Sequence, residues 1–337
     1  MSKLRVGIVG GGGIAGAHLP RLNERSDAVE VVGVSDLDVA IAAATAEKYG
    51  ISRHVKDFHD FLGDVDAVVI CVPTLFHAEI AIDALNAGKH VFCEKPMARS
   101  LEQADAMIAA AQKSGATIQI GFVRQFDDEW MAFRTAVQAG KIGRPVTWRD
   151  VQASAGPRQW SDRGGWFTNE EIGGGPFLDG CIHNIDFALS TFGPAEWVFA
   201  HARTIHKDST ALDTGTATVH FKAGDELMLA WCWGLPKDCS GARAFDLFGP
   251  QGVLNWPAAQ PADATERTMV INHGAAQEIV SFPANAIALA FERQMDEFIE
   301  VARGQKQPRA GGAEGRSALQ VALAILKSGR SRQVVEL

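Results

Sequence analysis

The sequence predicts an α/β protein in two parts, a doubly wound parallel sheet followed by an α+β domain built on a mostly antiparallel sheet. Three observations carry this. Through the first third, short apolar runs alternate with helix-like stretches, as βαβ units do. All eight tryptophans lie beyond residue 123, at 130, 148, 160, 166, 197, 231, 233 and 256. Past that point the strand-like runs lengthen and alternate. At about 150 residues per domain, 337 residues make two domains, and the change of texture divides them into 1–123 and 124–337.

Strands are expected at Leu4 to Val9, Val29 to Val34, Ala67 to Val72, His90 to Cys93 and Thr117 to Gly121. Helices fall between them, at Ile14 to Glu24, Val39 to Lys48, Phe76 to Ala87 and Leu101 to Ser114. Gly88 and Gly115 stand where a helix-ending glycine belongs. In the second part Thr216 to Phe221 alternates with period two, and Leu227 to Trp233 is a second strand. One helix is expected from Pro176 to Thr191. Another carries Ile287, Phe291, Met295, Phe298 and Ile299 at helical spacing and closes at Gly304.

Composition narrows the function. With 32 basic and 40 acidic residues the net charge is −8, which argues against a polyanion partner, whether nucleic acid or an acidic membrane. Five cysteines (Cys71, Cys93, Cys181, Cys232, Cys239) have no short paired spacing, so neither a disulfide framework nor a metal site is expected. No signal-peptide pattern or membrane-length apolar run is present, and a cytoplasmic location is expected. Glycine is the outlier, 34 of 337, and two of its clusters lie beside chemistry.

The first is Gly10-Gly11-Gly12-Gly13-Ile14-Ala15, directly after a strand, with Gly10, Gly12 and Ala15 in the three positions of G-x-G-x-x-G/A. Small residues there permit a tight turn, close approach of a pyrophosphate, and helix-on-strand packing. The amides at the helix start, Gly13 and Ile14 among them, then face the anion with the helix dipole. Asp36 ends the second strand, where an acid binds the adenosine ribose hydroxyls and repels a 2′-phosphate. NAD is favoured, with NADP the alternative. The competing reading makes the glycines a structural turn and Asp36 a helix N-cap.

Lys95, in Glu94-Lys95-Pro96, follows the strand His90 to Cys93, at the sheet edge where ligands bind. A lysine there can stabilise alkoxide character on a carbon that gives up hydride; a lysine at a strand end is more commonly a solvated surface group. The second cluster, Gly173-Gly174-Gly175, precedes a helix on which Asp179, His183 and Asp186 share one face. Such a pair can bind a hydroxylated substrate and move its proton, or it can be a polar face satisfied by hydrogen bonds. No further His or Cys spacing completes a metal site around Asp179 and His183.

Taken together, the glycine motif with His18, Cys71-Val72-Pro73-Thr74 with His77, Ala87-Gly88-Lys89-His90-Val91 leading to Glu94-Lys95-Pro96, Gly121-Phe122, and the Gly173 to Asp186 run resemble the Gfo/Idh/MocA oxidoreductase family, which includes glucose–fructose oxidoreductase and inositol dehydrogenases. The resemblance implies an N-terminal Rossmann domain and a C-terminal α+β domain whose open sheet forms the interface of a homodimer or homotetramer. It implies that Lys95, Asp179 and His183 surround the reacting carbon, His183 as general acid/base and Lys95 on the oxygen. Asp186 carries less weight. Pro73, Thr74, His77 and Glu94 fall where relatives line the cofactor. Thr74 and Val123 replace residues frequent in the family, often Asn.

The substrate is read from the segment between Gly156 and Trp166, where relatives carry a substrate loop. Trp160 and Trp166 can stack on a sugar face, and Arg124 can meet substrate or cofactor. The function that follows is hydride transfer between a nicotinamide and a secondary alcohol or carbonyl of a sugar, cyclitol or sugar derivative. The alternatives are a glycosidase or epimerase that oxidises transiently, and a non-catalytic NAD-sensing regulator.

Overall fold

The computed structural model describes residues 2–159, 162–256 and 264–337. The first third folds in the expected order: β1 (Leu4–Val9), α1 (Ala15–Glu24), β2 (Val29–Ser35), α2 (Val39–Tyr49), β3 (His54–Val55), α3 (His59–Leu62), β4 (Ala67–Ile70), α4 (His77–Asn86), β5 (His90–Cys93), α5 (Leu101–Ser114) and β6 (Ile118–Ile120). The sequence reading passes over β3 and α3, because two extended residues and a single helical turn carry no measurable period. Local chemistry sets the helix ends. Asp38 accepts from the Ala40 amide to start α2, Ser100 accepts from the Gln103 amide to start α5, and α5 closes on Gly115 at φ +74°.

These strands form a six-stranded parallel sheet, order β3-β2-β1-β4-β5-β6. Since every strand runs the same way, all their carboxyl ends lie along one edge. Strand order reverses between β1 and β4, and ligands bind open α/β sheets at the carboxyl edge beside such a reversal. The glycine loop follows β1 directly.

The remainder contains α6 (Asp128–Gln138), β7 (Thr147–Ala153), α7 (Ile182–Phe192), β8 (Ala195–Arg203), β9 (Thr214–Phe221), β10 (Glu226–Cys232), β11 (Ala242–Gly249), β12 (Gly252–Asn255), β13 (Glu266–His273), β14 (Ala276–Pro283), α8 (Ala286–Ala302), α9 (Gly312–Ser331) and β15 (Val335–Glu336). Among the described residues nine strands make a second sheet, order β14-β13-β12-β11-β7-β10-β9-β8-β15, antiparallel except where β10 runs parallel to β7. One of its faces is packed with aromatic rings meeting edge to face: Trp130 and Phe133 from α6, Phe187 from α7, Trp148 and Phe245 from the sheet.

By packing, the chain forms two compact units, residues 1–126 with 287–316, and residues 127–286 with 317–337. This differs from a single cut after residue 123. Met295, Phe298, Ile299 and Ala302 of α8 enter the same core as β1, β2 and β4, and Val123 and Phe126 pack with Ala290. Helical spacing identifies an apolar stripe without saying which sheet it covers. Among the described residues, no helix is long and apolar enough to cross a membrane.

Candidate active site

In the first unit the loops at the carboxyl edge of the parallel sheet are tied to one another. Gly10 holds φ +97°, and a β-carbon there would lie 2.7 Å from the Cys71 carbonyl, so only glycine fits between the ends of β1 and β4. Nothing would meet a β-carbon at Gly12 or Gly13 within 4 Å; both face open space. Helix α1, with Ile14 at its N-cap, has no side-chain cap and no acid in its first turn, so its positive end suits an anion. Ala15 is buried against the sheet.

Asp36 stands at the tip of β2, half-buried, and does not cap a helix; Asp38 does that. One Asp36 oxygen accepts from the Gly11 amide and the other from the Asp38 amide, both at 3.0 Å. The acid therefore braces the glycine loop. After β4, Thr74 is buried, and its hydroxyl has no hydrogen-bond partner among the described residues. Buried hydroxyls are normally paired, so this one suits a ligand group. An open glycine turn, an uncapped helix start, an acid at the tip of β2 and an unpartnered hydroxyl fit a dinucleotide.

His77 is buried, with Nδ1 2.7 Å from the Pro96 carbonyl and Nε2 2.8 Å from the Val72 carbonyl. Burial pushes its pKa below the ordinary value, against the pull of the two carbonyls. His77 thus clamps the end of β4 to the segment after Lys95. The Glu94 carboxylate is enclosed too, bonded to His18 Nε2 at 2.7 Å and to the Lys95 amide at 3.2 Å. Of the cofactor residues expected from the sequence, His77 and Glu94 spend their polar atoms on the protein itself. Lys95 stands two residues past the end of β5, and Arg124 lies half-buried in the 3₁₀ turn after β6. Pro73, with φ −59°, leads into the 3₁₀ turn that carries Thr74.

In the second unit the triple glycine is shaped by its neighbours. A β-carbon at Gly173 would lie 2.6 Å from the Phe167 α-carbon, and one at Gly175, φ +82°, would lie 2.8 Å from the Leu212 carbonyl. The expected single helix from Pro176 is two pieces, a π-helical turn at Pro176–Gly180 and then α7. The Cys181 amide reaches back five residues to the Pro176 carbonyl at 2.8 Å. Asp179 thus stands in the wider turn and His183 in the α-helix that follows it. Asp179 and Asp186 are buried and His183 half-buried.

Gly180 exposes what the sequence reading missed. A β-carbon there would lie 2.5 Å from the Trp231 ring and 2.6 Å from the Trp233 ring. Those indoles, both buried, wall the turn that carries Asp179. Trp166 stacks on Phe167 with centroids 3.7 Å apart, and Phe167 meets Trp233 edge-on. Trp160 lies outside the described residues. The only local sign of the wall was the crowding of tryptophans, which names no partner.

Comparison with known proteins adds to this geometry. Residues 4–122 match the family model described as "Oxidoreductase family, NAD-binding Rossmann fold", and residues 130–255 match the GFO/IDH/MocA C-terminal domain. The chain is 27% identical to a myo-inositol 2-dehydrogenase of Thermotoga maritima, covering 99% of this chain and 98% of that protein. It is 29% identical to a 1,5-anhydro-D-fructose reductase of Ensifer adhaerens over 93% and 92% of the two chains. Among solved structures, an aldose-aldose oxidoreductase from Caulobacter crescentus, complexed with glycerol, superposes with a TM-score of 0.83 at 25% identity over the whole of both chains.

Proposed function

The chain belongs to the GFO/IDH/MocA family of NAD-binding oxidoreductases, and from that premise we propose that it moves a hydride between the nicotinamide and a secondary alcohol or carbonyl of a sugar, cyclitol or sugar derivative. The observation that carries this is the carboxyl edge of the parallel sheet, where the open glycine turn, Asp36 and Lys95 follow β1, β2 and β5. The relatives' names, a myo-inositol 2-dehydrogenase and a 1,5-anhydro-D-fructose reductase, support polyhydroxylated substrates.

Gly10, Gly12, Gly13, Ile14 and Ala15 hold the pyrophosphate, Asp36 the adenosine ribose, and Thr74 and Pro73 the nicotinamide half. When bound, the dinucleotide supplies the hydride acceptor or donor. In the oxidation direction His183 takes the hydroxyl proton, Lys95 holds the oxygen as the carbonyl forms, and Asp179 orients the hydroxyl. The carbon loses a hydride and the oxygen a proton, so the products are a ketone, the reduced dinucleotide and one proton. Arg124 and Trp166 are assigned to substrate contact. The five free thiols, four of them buried, support a reducing, cytoplasmic setting.

A self-associating chain is part of the same reading. On the second sheet Phe199 pairs with Thr218, Thr218 with Met228, Met228 with Arg149 and Arg149 with Asp246, so all lie on one face. Phe248 lies two residues beyond Asp246, opposite Val253. Phe199, Met228, Phe248 and Val253 are exposed, an apolar stripe suited to a second copy.

The test is NADH formation at 340 nm from NAD with a panel of myo-inositol, aldoses and anhydro sugars. Turnover with a panel member, lost by about 10²-fold or more in Lys95→Met, is the expected result. Cleavage of a nitrophenyl glycoside without net NADH, or full turnover in Lys95→Met, overturns it.

A further inference from the structure

Behind Lys95 lies a buried pair to which the proposed chemistry assigns no task. His18 is fully enclosed and Glu94 is 5% exposed. Nε2 of His18 meets Oε1 of Glu94 at 2.7 Å, while Oε2 accepts the Lys95 amide at 3.2 Å. The seat is made to measure. A β-carbon at Gly121 would come within 3.0 to 3.1 Å of the carboxyl carbon and both of its oxygens, and the rings of Phe92 and Phe291 close on the imidazole at 5.0 and 5.5 Å.

A carboxylate this deep is costly unless it is paired and hydrogen-bonded. Burial raises the Glu94 pKa, but the His18 hydrogen bond and charge, with the Lys95 charge, overcome it and leave the group below its ordinary value. Where the partners sit gives the pair its use. His18 lies in the first turn of α1, the helix whose start faces the phosphate position, and Glu94 is the residue before Lys95.

We propose that His18 and Glu94 are a positioning pair that fixes the Lys95 backbone to the first turn of α1, so that the dinucleotide and the Lys95 amine are held in register by one buried contact. This rests on the reading of Lys95 as the group that meets substrate oxygen. Neither residue touches the reacting atoms. Glutamine at position 18 still presents a donor to Glu94, and leucine does not; glutamine at position 94 replaces one of the two accepting oxygens by an NH2 and removes the charge, so the seat that gives His18 and the Lys95 amide an oxygen each is lost.

The experiment compares His18→Leu, His18→Gln and Glu94→Gln with the unaltered chain in three readouts: the NADH dissociation constant by fluorescence, the rate at which an amine-acylating ester labels Lys95 under saturating NADH, and kcat and KM with the best alcohol of the panel. Expected are faster Lys95 labelling and a kcat lower by about ten- to a hundredfold in His18→Leu and Glu94→Gln, the cost of a small misplacement. NADH affinity and KM stay close to their starting values, and His18→Gln recovers most of the loss. If His18→Leu does not fold, Glu94→Gln carries the comparison. Labelling that is the same in every folded variant overturns the pair's role, whatever the turnover. Full turnover in Lys95→Met overturns the functional reading instead, while the labelling still decides whether the pair places the amine.

Discussion

Asp36 carries two backbone amides on one carboxylate, and the proposed function gives it a ribose as well. The oxygen that takes the Gly11 amide ties the acid to the glycine turn, and the proposed ribose contact would use the carboxylate's remaining lone pairs. Its charge also opposes a 2′-phosphate. In Asp36→Ser the preference for NAD over NADP therefore narrows by about ten- to a hundredfold, the worth of a hydrogen bond to a charged group. Because the turn loses a brace, NAD itself binds more weakly. Fluorescence titration with NADH and NADPH measures both effects, and an unchanged ratio would reduce Asp36 to a loop brace. This acid was readable from sequence because everything that defines it is local: a strand before it and a glycine motif upstream. Glu94 was not, since its partner His18 lies 76 residues away and no spacing rule connects them. Residues that line a cofactor in relatives drew Glu94 and His77 to the cofactor. In the structure their polar atoms bond to His18, Val72, Lys95 and Pro96.

At the scale of elements, the turn at Pro176–Gly180 governs where Asp179 points. Its π-helical winding needs close contact between Gly180 and two fixed indoles, and a β-carbon at 2.5 Å must displace Trp231 or the turn itself. Gly180→Ala is thus an overpacking change, with a cost of about 1–3 kcal/mol and a lowered unfolding midpoint by calorimetry. It also re-aims Asp179, so kcat falls more than NADH affinity. An alanine variant with the stability and turnover of the starting protein would show that the turn tolerates relaxation and that Asp179 is not held by it. Periodicity placed an element here and could not distinguish its winding, because five residues of π-helix and five of α-helix carry the same apolar pattern. The parallel strands were legible for the opposite reason. Ala67–Ile70 is buried at every position, and an unbroken apolar run between helical stretches has few other readings. Helix α8 lies between these cases: its stripe was legible, its destination against β1, β2 and β4 was not.

For the whole molecule the second sheet poses the largest physical question, since one face is filled by helices and rings while the other carries an apolar stripe open to water. Phe248 is 44% exposed and Met228 41%, on strands joined through β7 rather than scattered over the surface. Grouping matters here, because single exposed apolar side chains are ordinary, whereas Phe199 and Met228 share one row across the strands and Phe248 and Val253 stand two residues along the same face. The Arg149–Asp246 ion pair sits within the row, and its two charges satisfy each other where a partner sheet would exclude water. A stable interface needs about 1,600 Å² of buried surface, and a nine-stranded face is wide enough to provide it. Light scattering on the purified protein is therefore expected to give a multiple of the protomer mass. Placing charges on this face, as Met228→Glu with Phe248→Glu, is expected to return the mass to one protomer while the far-ultraviolet circular dichroism stays the same. NADH affinity should survive, since the glycine turn and Asp36 belong to the other compact unit. A protein that runs as one protomer before any substitution would remove self-association from the reading and leave the stripe to a different partner.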